Sequence, residues 1–162
     1  MASEYRRTRR VEFSDTDTAG LVHFTALFRY MEETEHEFLR SLDLSVHPPA
    51  DGGFRIGFPR IAARCDFLGP ARFEDEVEVH LRVLRKGRTT ITYQYVLSNR
   101  RGGGTVAQGE MSVICCRLGG DGRLERTELP APYVAAIEES SAAPLAFGPG
   151  VTSPGRSGMD AD

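Results

Sequence analysis

Residues 15–24 read Asp-Thr-Asp-Thr-Ala-Gly-Leu-Val-His-Phe and stand directly before a helical pattern. Two carboxylates, a glycine and a histidine at a helix start are the ingredients of acyl-transfer chemistry. The first N–H groups of a helix have no intrahelical acceptor, and the helix dipole favours negative charge beside them. An oxygen that becomes anionic when a carbonyl is attacked would be stabilised there. A carboxylate nearby could attack the acyl carbon, or deprotonate a water that does. The same residues also suit turn and capping roles, and His23 alone reads equally as a packed or solvent-facing imidazole. A second cluster, Arg85-Lys86-Gly87-Arg88, is either an ordinary basic turn or a grip for the phosphates of a nucleotide-bearing ligand. Glu32, Glu33, Glu35 and Glu37 read as a solvated helix face.

The elements that must position these residues follow from periodicity. Tyr5 to Phe13 ends in an alternating, strand-like piece, and Ser14 to Gly20 is a turn cluster. Leu27, Tyr30, Met31, Thr34, Phe38 and Leu42 recur at three-to-four-residue steps, which predicts one amphipathic helix with Thr25 as N-cap and its end near Asp43. A loop is expected over 47–53. The period then changes to two. Strands are expected over Pro59–Leu68, with Ile61, Ala63, Cys65 and Phe67 on one face, over Glu76–Arg85, over Thr89–Ser98 and over Thr105–Arg117. Gly119-Gly120-Asp121-Gly122 is a turn, and Leu129–Glu139 a short closing helix or irregular segment. A strand, a long helix and four strands on tight connections predict an α+β fold, with about five antiparallel strands curled around a single helix.

Composition narrows the classes. The chain has 162 residues, 40% hydrophobic and 27% charged, which fits one globular domain. Twenty Lys+Arg against 23 Asp+Glu give a net charge of −3, so overall basicity does not point to a nucleic-acid partner. The only lysine is Lys86. Apolar runs are too short for membrane insertion, and the N-terminus lacks the apolar core of a secretory signal. Cys65, Cys115 and Cys116 form an odd set without a CxxC spacing, so reduced cysteines in a cytoplasmic protein are expected rather than a zinc site. From Ser140 the sequence turns to Ser, Ala, Pro and Gly, so the domain is expected over 1–139, with a flexible tail over 140–162.

Val11-Glu12-Phe13-Ser14-Asp15-Thr16-Asp17-Thr18-Ala19-Gly20-Leu21-Val22-His23-Phe24 resembles the signature of hotdog-fold acyl-CoA thioesterases of the 4-hydroxybenzoyl-CoA thioesterase type. Leu27 to Asp43 is similar to that family's central helix, Phe67-Leu68-Gly69-Pro70-Ala71 with Asp75 to its strand–Pro–Asp transition, and Arg85 to Thr89 to its basic turn. The resemblance covers about residues 5–134. It implies a hotdog fold and hydrolysis of an acyl-CoA to a carboxylic acid and free CoA. Asp17 would be nucleophile or general base, and the Phe24 backbone N–H would polarise the thioester carbonyl. Gly20 would let the chain turn beside the substrate, Arg85, Lys86 and Arg88 would meet the CoA phosphates, and Asp15 would order the loop. His23 stands where the family often has Tyr or Trp, and either orients water or the acyl group or replaces an aromatic ring. A related hotdog group uses a helix glutamate instead, which keeps Glu32, Glu33 and Glu35 open. The thiolate is a good leaving group, so no metal or other cofactor is implied. A homodimer or homotetramer, with Asp17 and the basic turn from different chains, is implied. The alternatives are a thioesterase for a carrier-protein or polyketide thioester, and a non-catalytic acyl-binding hotdog module.

Overall fold

The computed structural model describes residues 1–48, 54–120 and 122–148; loop residues 49–53, Asp121 of the glycine-rich turn and tail residues 149–162 lie outside the described residues. Five strands form an antiparallel sheet in the order β1 (Glu4–Arg10), β4 (Glu76–Lys86), β5 (Thr90–Asn99), β6 (Thr105–Ile114), β3 (Arg60–Phe67). Helix α1 (Phe24–Ser41) covers one face. The alternation expected for β4 and β5 holds: Val77, Val79, Leu81, Val83, Ile91, Tyr93, Tyr95 and Leu97 are all buried. The helix approaches closely at Gly109 of β6, where a Cβ would press on the end of the Met31 side chain and stand 3.1 Å from the Arg64 carbonyl, so a side chain there requires Met31 to shift.

Leu27, Tyr30, Met31, Thr34 and Phe38 form the buried stripe of α1 as their spacing predicts, joined by Ala26 and Leu39. Two expectations for the helix are corrected. Its N-cap is His23 rather than Thr25: His23 is extended, and its Nδ1 accepts the Thr25 N–H at 3.3 Å. Glu35 is not on a solvated face but only 2% exposed. Met31, Glu35 and Phe38 are four and three apart, so Glu35 shares their stripe. Glu33 and Glu37 lie on the β1 side, where Arg7 reaches both at 3.1 and 3.3 Å and Arg9 reaches Glu33 at 3.0 Å.

The last long strand is interrupted. Cys115 donates its N–H to Thr89 O at 2.7 Å and accepts from Thr127 N at 2.9 Å, which takes it out of the β5–β6 ladder. Cys116–Leu118 becomes β7 in a second sheet with β2 (Arg55–Gly57) and β8 (Leu124–Arg126), two short strands that periodicity did not predict. Helix α2 (Ala131–Ala136) follows. Cys65, Cys115 and Cys116 are free thiols, and burial lifts Cys65 and Cys115 to about 11. Among the described residues no helix is long and apolar enough to cross a membrane.

The composition of residues 140–148 offers little to bury, yet this stretch crosses the sheet face opposite α1. Ser140 N donates to Val83 O at 2.8 Å, Leu145 N to Gln94 Oε1 at 3.0 Å, Gln108 Nε2 to Ala146 O at 2.7 Å and Gly148 N to Asp66 Oδ2 at 2.9 Å. The Arg64 guanidinium lies 4.6 Å from the Phe147 ring centre. Backbone polar groups do most of this docking, and composition does not encode them. Among the described residues no strand pairs with the outer edge of β3, and Ile61, Phe67 and Leu68 are 56%, 54% and 54% exposed.

Candidate active site

The Asp15–Phe24 segment is a short folded-back loop. Thr16 and Val22 form a bridge, Asp17 N donates to Leu21 O at 2.8 Å, and His23 N donates to Asp15 O at 2.8 Å. Val22 N donates to Ala71 O at 2.8 Å, which ties the loop to the connection before β4. This pairing sets Asp17 opposite Leu21 and Asp15 opposite His23, the residue that enters α1. Gly20 takes φ +71°, a left-handed conformation that disfavours a side chain, and donates to Asp17 O at 3.0 Å.

The two carboxylates have opposite surroundings. Asp15 is 2% exposed. It accepts from Tyr30 OH at 2.6 Å and from Glu12 N at 3.0 Å, and it pairs with Arg29. Burial alone would raise its pKa, but the Tyr30 and Glu12 hydrogen bonds and the Arg29 and Arg9 charges hold it below the ordinary 3.8. Every oxygen of Asp15 is committed to ordering the loop. Asp17 is exposed. Its Oδ1 accepts from Ala19 N at 2.8 Å and Leu21 N at 3.3 Å, which fixes the side chain. Its Oδ2 has no partner among the described residues.

The helix start is arranged to leave one donor open. Thr25 N–H is taken by His23 Nδ1, and Ala26 N–H by His23 O at 2.9 Å. The Phe24 N–H has no acceptor among the described residues. The Phe24 side chain is 54% exposed and packs edge-on against Phe67, 6.4 Å between ring centres. His23 is a capping residue whose ring lies 4.6 Å from that of Phe24. Phe13 and Phe73, which sequence reasoning missed, form a T-shaped pair at 6.2 Å and border a cleft of about 560 Å³ around Thr16, Asp17 and Gly20. Phe13 is 78% exposed; such a bare aromatic beside an Asp-rich turn was the available signal.

The structure gathers Asp17, Gly20, His23 and Phe24 at one end of the sheet. It does not bring Arg85, Lys86 and Arg88 to them within one chain. Those residues lie where β4 turns into β5, whereas the Asp17 loop meets the start of β4. The strand between, Glu76 to Lys86, spans roughly 30 Å at ~3.3 Å per residue. Lys86 is also not free for a phosphate: its Nζ donates to Val134 O at 2.8 Å and to Ile137 O, capping α2. Arg88 is exposed and pairs loosely with Glu128 at 3.3 Å. Arg126 joins this end unforeseen, its Nε donating to Thr89 Oγ1 at 2.8 Å beside a cleft of about 670 Å³ that Arg88 also borders. β8 was not predicted, so no sequence signal placed Arg126 there.

The model of the thioesterase superfamily matches residues 19–106. A putative esterase of Aquifex aeolicus is 37% identical over 89 residues, 55% of this chain and 68% of that protein. A 1,4-dihydroxy-2-naphthoyl-CoA hydrolase of Thermosynechococcus vestitus is 31% identical over 139 residues, 85% of this chain and 92% of that protein. Two further hydrolases of that name are matched over only 56% and 55% of their length. The crystal structure of a 1,4-dihydroxy-2-naphthoyl-CoA thioesterase from Synechocystis superposes with a TM-score of 0.74 at 25% identity, covering 82% of this chain and 94% of that one. The helix-wrapped five-stranded sheet is their hotdog fold. With the family model matching more than half of its length, this chain belongs to the thioesterase superfamily of hotdog-fold thioester hydrolases.

Proposed function

We propose that the chain hydrolyses an acyl-CoA to a carboxylic acid and free CoA, with Asp17 as the attacking or water-activating carboxylate. One observation carries this reading: Asp17 is exposed and fixed through Oδ1 while Oδ2 is open, on a loop that folds back along the residues leading into α1, whose first N–H, that of Phe24, has no acceptor among the described residues. The thioester oxygen accepts from the Phe24 N–H, and the α1 dipole stabilises the charge that develops on it. In the nucleophilic course Asp17 Oδ2 bonds to the acyl carbon and the C–S bond breaks. The thiolate leaves and takes a proton from water. A water then cleaves the mixed anhydride, giving the carboxylic acid and restoring the Asp17 carboxylate. In the general-base course Asp17 removes a proton from water, the hydroxide adds to the acyl carbon, and the expelled thiolate takes that proton. His23, held as the N-cap, orients the acyl group or that water.

Arg85 and Arg88, with Arg126, supply the phosphate grip, and Lys86 supports the turn rather than the ligand. The roughly 30 Å between grip and carboxylate within one chain is bridged by a homodimer. β3 is an exposed apolar edge, and an edge is completed by pairing with a second copy. Two β3 strands pairing antiparallel about a two-fold axis run in opposite directions. The partner's basic turn then lies at the same end of the joined sheet as Asp17. The hydrolases that resemble this chain, named for dihydroxynaphthoyl-CoA, support a CoA thioester over a carrier-protein thioester. The test is thiol release from a panel of aromatic and aliphatic acyl-CoAs by wild type and Asp17→Asn. Release by wild type that Asp17→Asn loses supports the reading; equal release by both refutes the role of Asp17.

A further inference from the structure

The mechanism above does not use Glu35, although it is the most deeply buried carboxylate on the helix. Its Oε2 accepts from Arg60 Nη1 at 2.6 Å and from Tyr95 OH at 3.3 Å. Burial raises its pKa, and the Arg60 charge opposes that shift. Arg60 starts β3 at a bulge between Arg60 and Ala62, where it pairs with inward-facing Val113. A bulge re-aims the side chain it carries, here toward α1 instead of away from it. The Arg60 side chain keeps 25% exposure, so the pair is sealed on the Glu35 side and open on the other.

The open side faces two adjoining clefts. One, of about 410 Å³, follows Thr25, Phe28 and Glu32 along α1, with Ala63 of β3 and Met111 of β6 opposite. It begins one residue beyond the Phe24 N–H and reaches Glu32 after roughly 10 Å of helix. The other, of about 450 Å³, continues under β2 with apolar walls from Val46, Ile56, Phe58 and Leu118. Arg60 and Glu32 border both clefts. Arg60 Nη2 lies 3.8 Å from Glu32 Oε1, too far for a hydrogen bond. A guanidinium carries five donors and no acceptor, and among the described residues only one of them is committed to a hydrogen bond, to Glu35. A groove of apolar walls, with Arg29, His36 and Arg55 also along its lining, thus leads from the thioester site to Arg60, the cation that Glu35 holds in place where the two clefts join.

We propose that Arg60 is a specificity-determining residue, clamped by Glu35, that selects acyl groups carrying an acceptor oxygen distal to the thioester. This rests on the acyl-CoA hydrolase reading and deepens it. The acyl chain lies between α1 and β3, its distal oxygen accepts from Arg60, and Glu35 is a positioning residue. An acyl group that ends in a methyl leaves the Arg60 donors desolvated and unpaired, which is the costly case for binding.

The test uses matched acyl-CoA pairs in which a terminal hydroxyl is exchanged for a methyl group, on an aromatic and on an aliphatic scaffold. For wild type the hydroxyl member of each pair is expected to show kcat/KM about ten- to a hundred-fold higher. Arg60→Leu alone strands Glu35 as an unpaired buried charge and threatens folding, so Glu35→Leu/Arg60→Leu, which replaces the pair with apolar side chains, is the comparison. In that variant the ratio should collapse toward one. Arg60→Lys should restore part of it, because the cation returns without the planar fork. Glu35→Gln should lower the ratio through KM, with kcat held. A wild-type preference for the methyl members, or a ratio unchanged in the double variant, overturns the proposal. No thiol release from any acyl-CoA overturns the hydrolase reading itself, and with it this inference.

Discussion

At the start of β4, Val11 N bonds to Asp75 O, and the Asp17 loop folds back on the first turn of α1. At the far end of β4, Arg85 and Arg88 project from a turn whose lysine is drawn into the carbonyls of α2. The first end holds the Asp17 carboxylate by backbone N–H groups and, among the described residues, leaves the Phe24 N–H open. The second holds cations on exposed side chains, with Arg88 and Arg126 bordering an open cleft. A rigid end suits bond breaking, where small displacements are costly, whereas a compliant end suits a charged handle that needs attraction more than exact geometry. In our reading neither end is a complete site, and two chains are needed to make one.

The contrast can be broken at the reacting end first. Asp17→Asn should lower kcat by a factor on the order of 10²–10⁴ and leave the melting temperature nearly unchanged, because the residue is exposed. Thermal melts and steady-state thiol release on the same preparation check both. At the gripping end, Arg85→Ala/Arg88→Ala should raise KM for acyl-CoA about tenfold with kcat held, and added salt should shrink the difference. Lys86→Ala should act differently from its neighbours, lowering the melting temperature more than it raises KM, because its ammonium serves α2 rather than solvent.

Asp15 sharpens the comparison within two residues of Asp17. Asp15→Asn should cost about 1–3 kcal/mol of stability through broken buried hydrogen bonds. The folded-state pKa of Asp15 is lowered. Its stabilisation is therefore fully present above the ordinary 3.8 and lost as the pH falls through the lowered folded value. Denaturant midpoints measured from pH 7 into strong acid should show this acid limb in wild type and a flatter one in Asp15→Asn. Equal limbs would show that Asp15 is not the anchor.

Much of the fold was legible because burial imposes periods. The stripe from Leu27 to Phe38 and the alternation along β4 and β5 follow directly from one face being dry. The candidate loop was legible because Asp, Gly and His before a helix are few and spaced. What escaped had causes in three dimensions. Glu35 has a polar side chain at an apolar spacing, and the arrival of Arg60 from a bulged strand, with the Tyr95 hydroxyl, makes that position tenable. The basic turn was read by its charge and its resemblance to the family's basic turn, neither of which separates Lys86, caught by α2, from Arg85 and Arg88. The strap over 140–148 docks mostly through its backbone, to which composition is blind.

The central claim is that Asp17 of one chain works with the basic turn of another, and subunit mixing tests it directly. Asp17→Asn and Arg85→Ala/Arg88→Ala chains, each impaired alone at low acyl-CoA, are unfolded together, refolded and assayed for thiol release. If sites are shared across the two-fold axis, each mixed dimer holds one intact site, and the mixture should recover about a quarter of wild-type kcat/KM. If the mixture shows only the average of the two impaired parents, carboxylate and grip belong to the same chain, and the shared-site account is wrong.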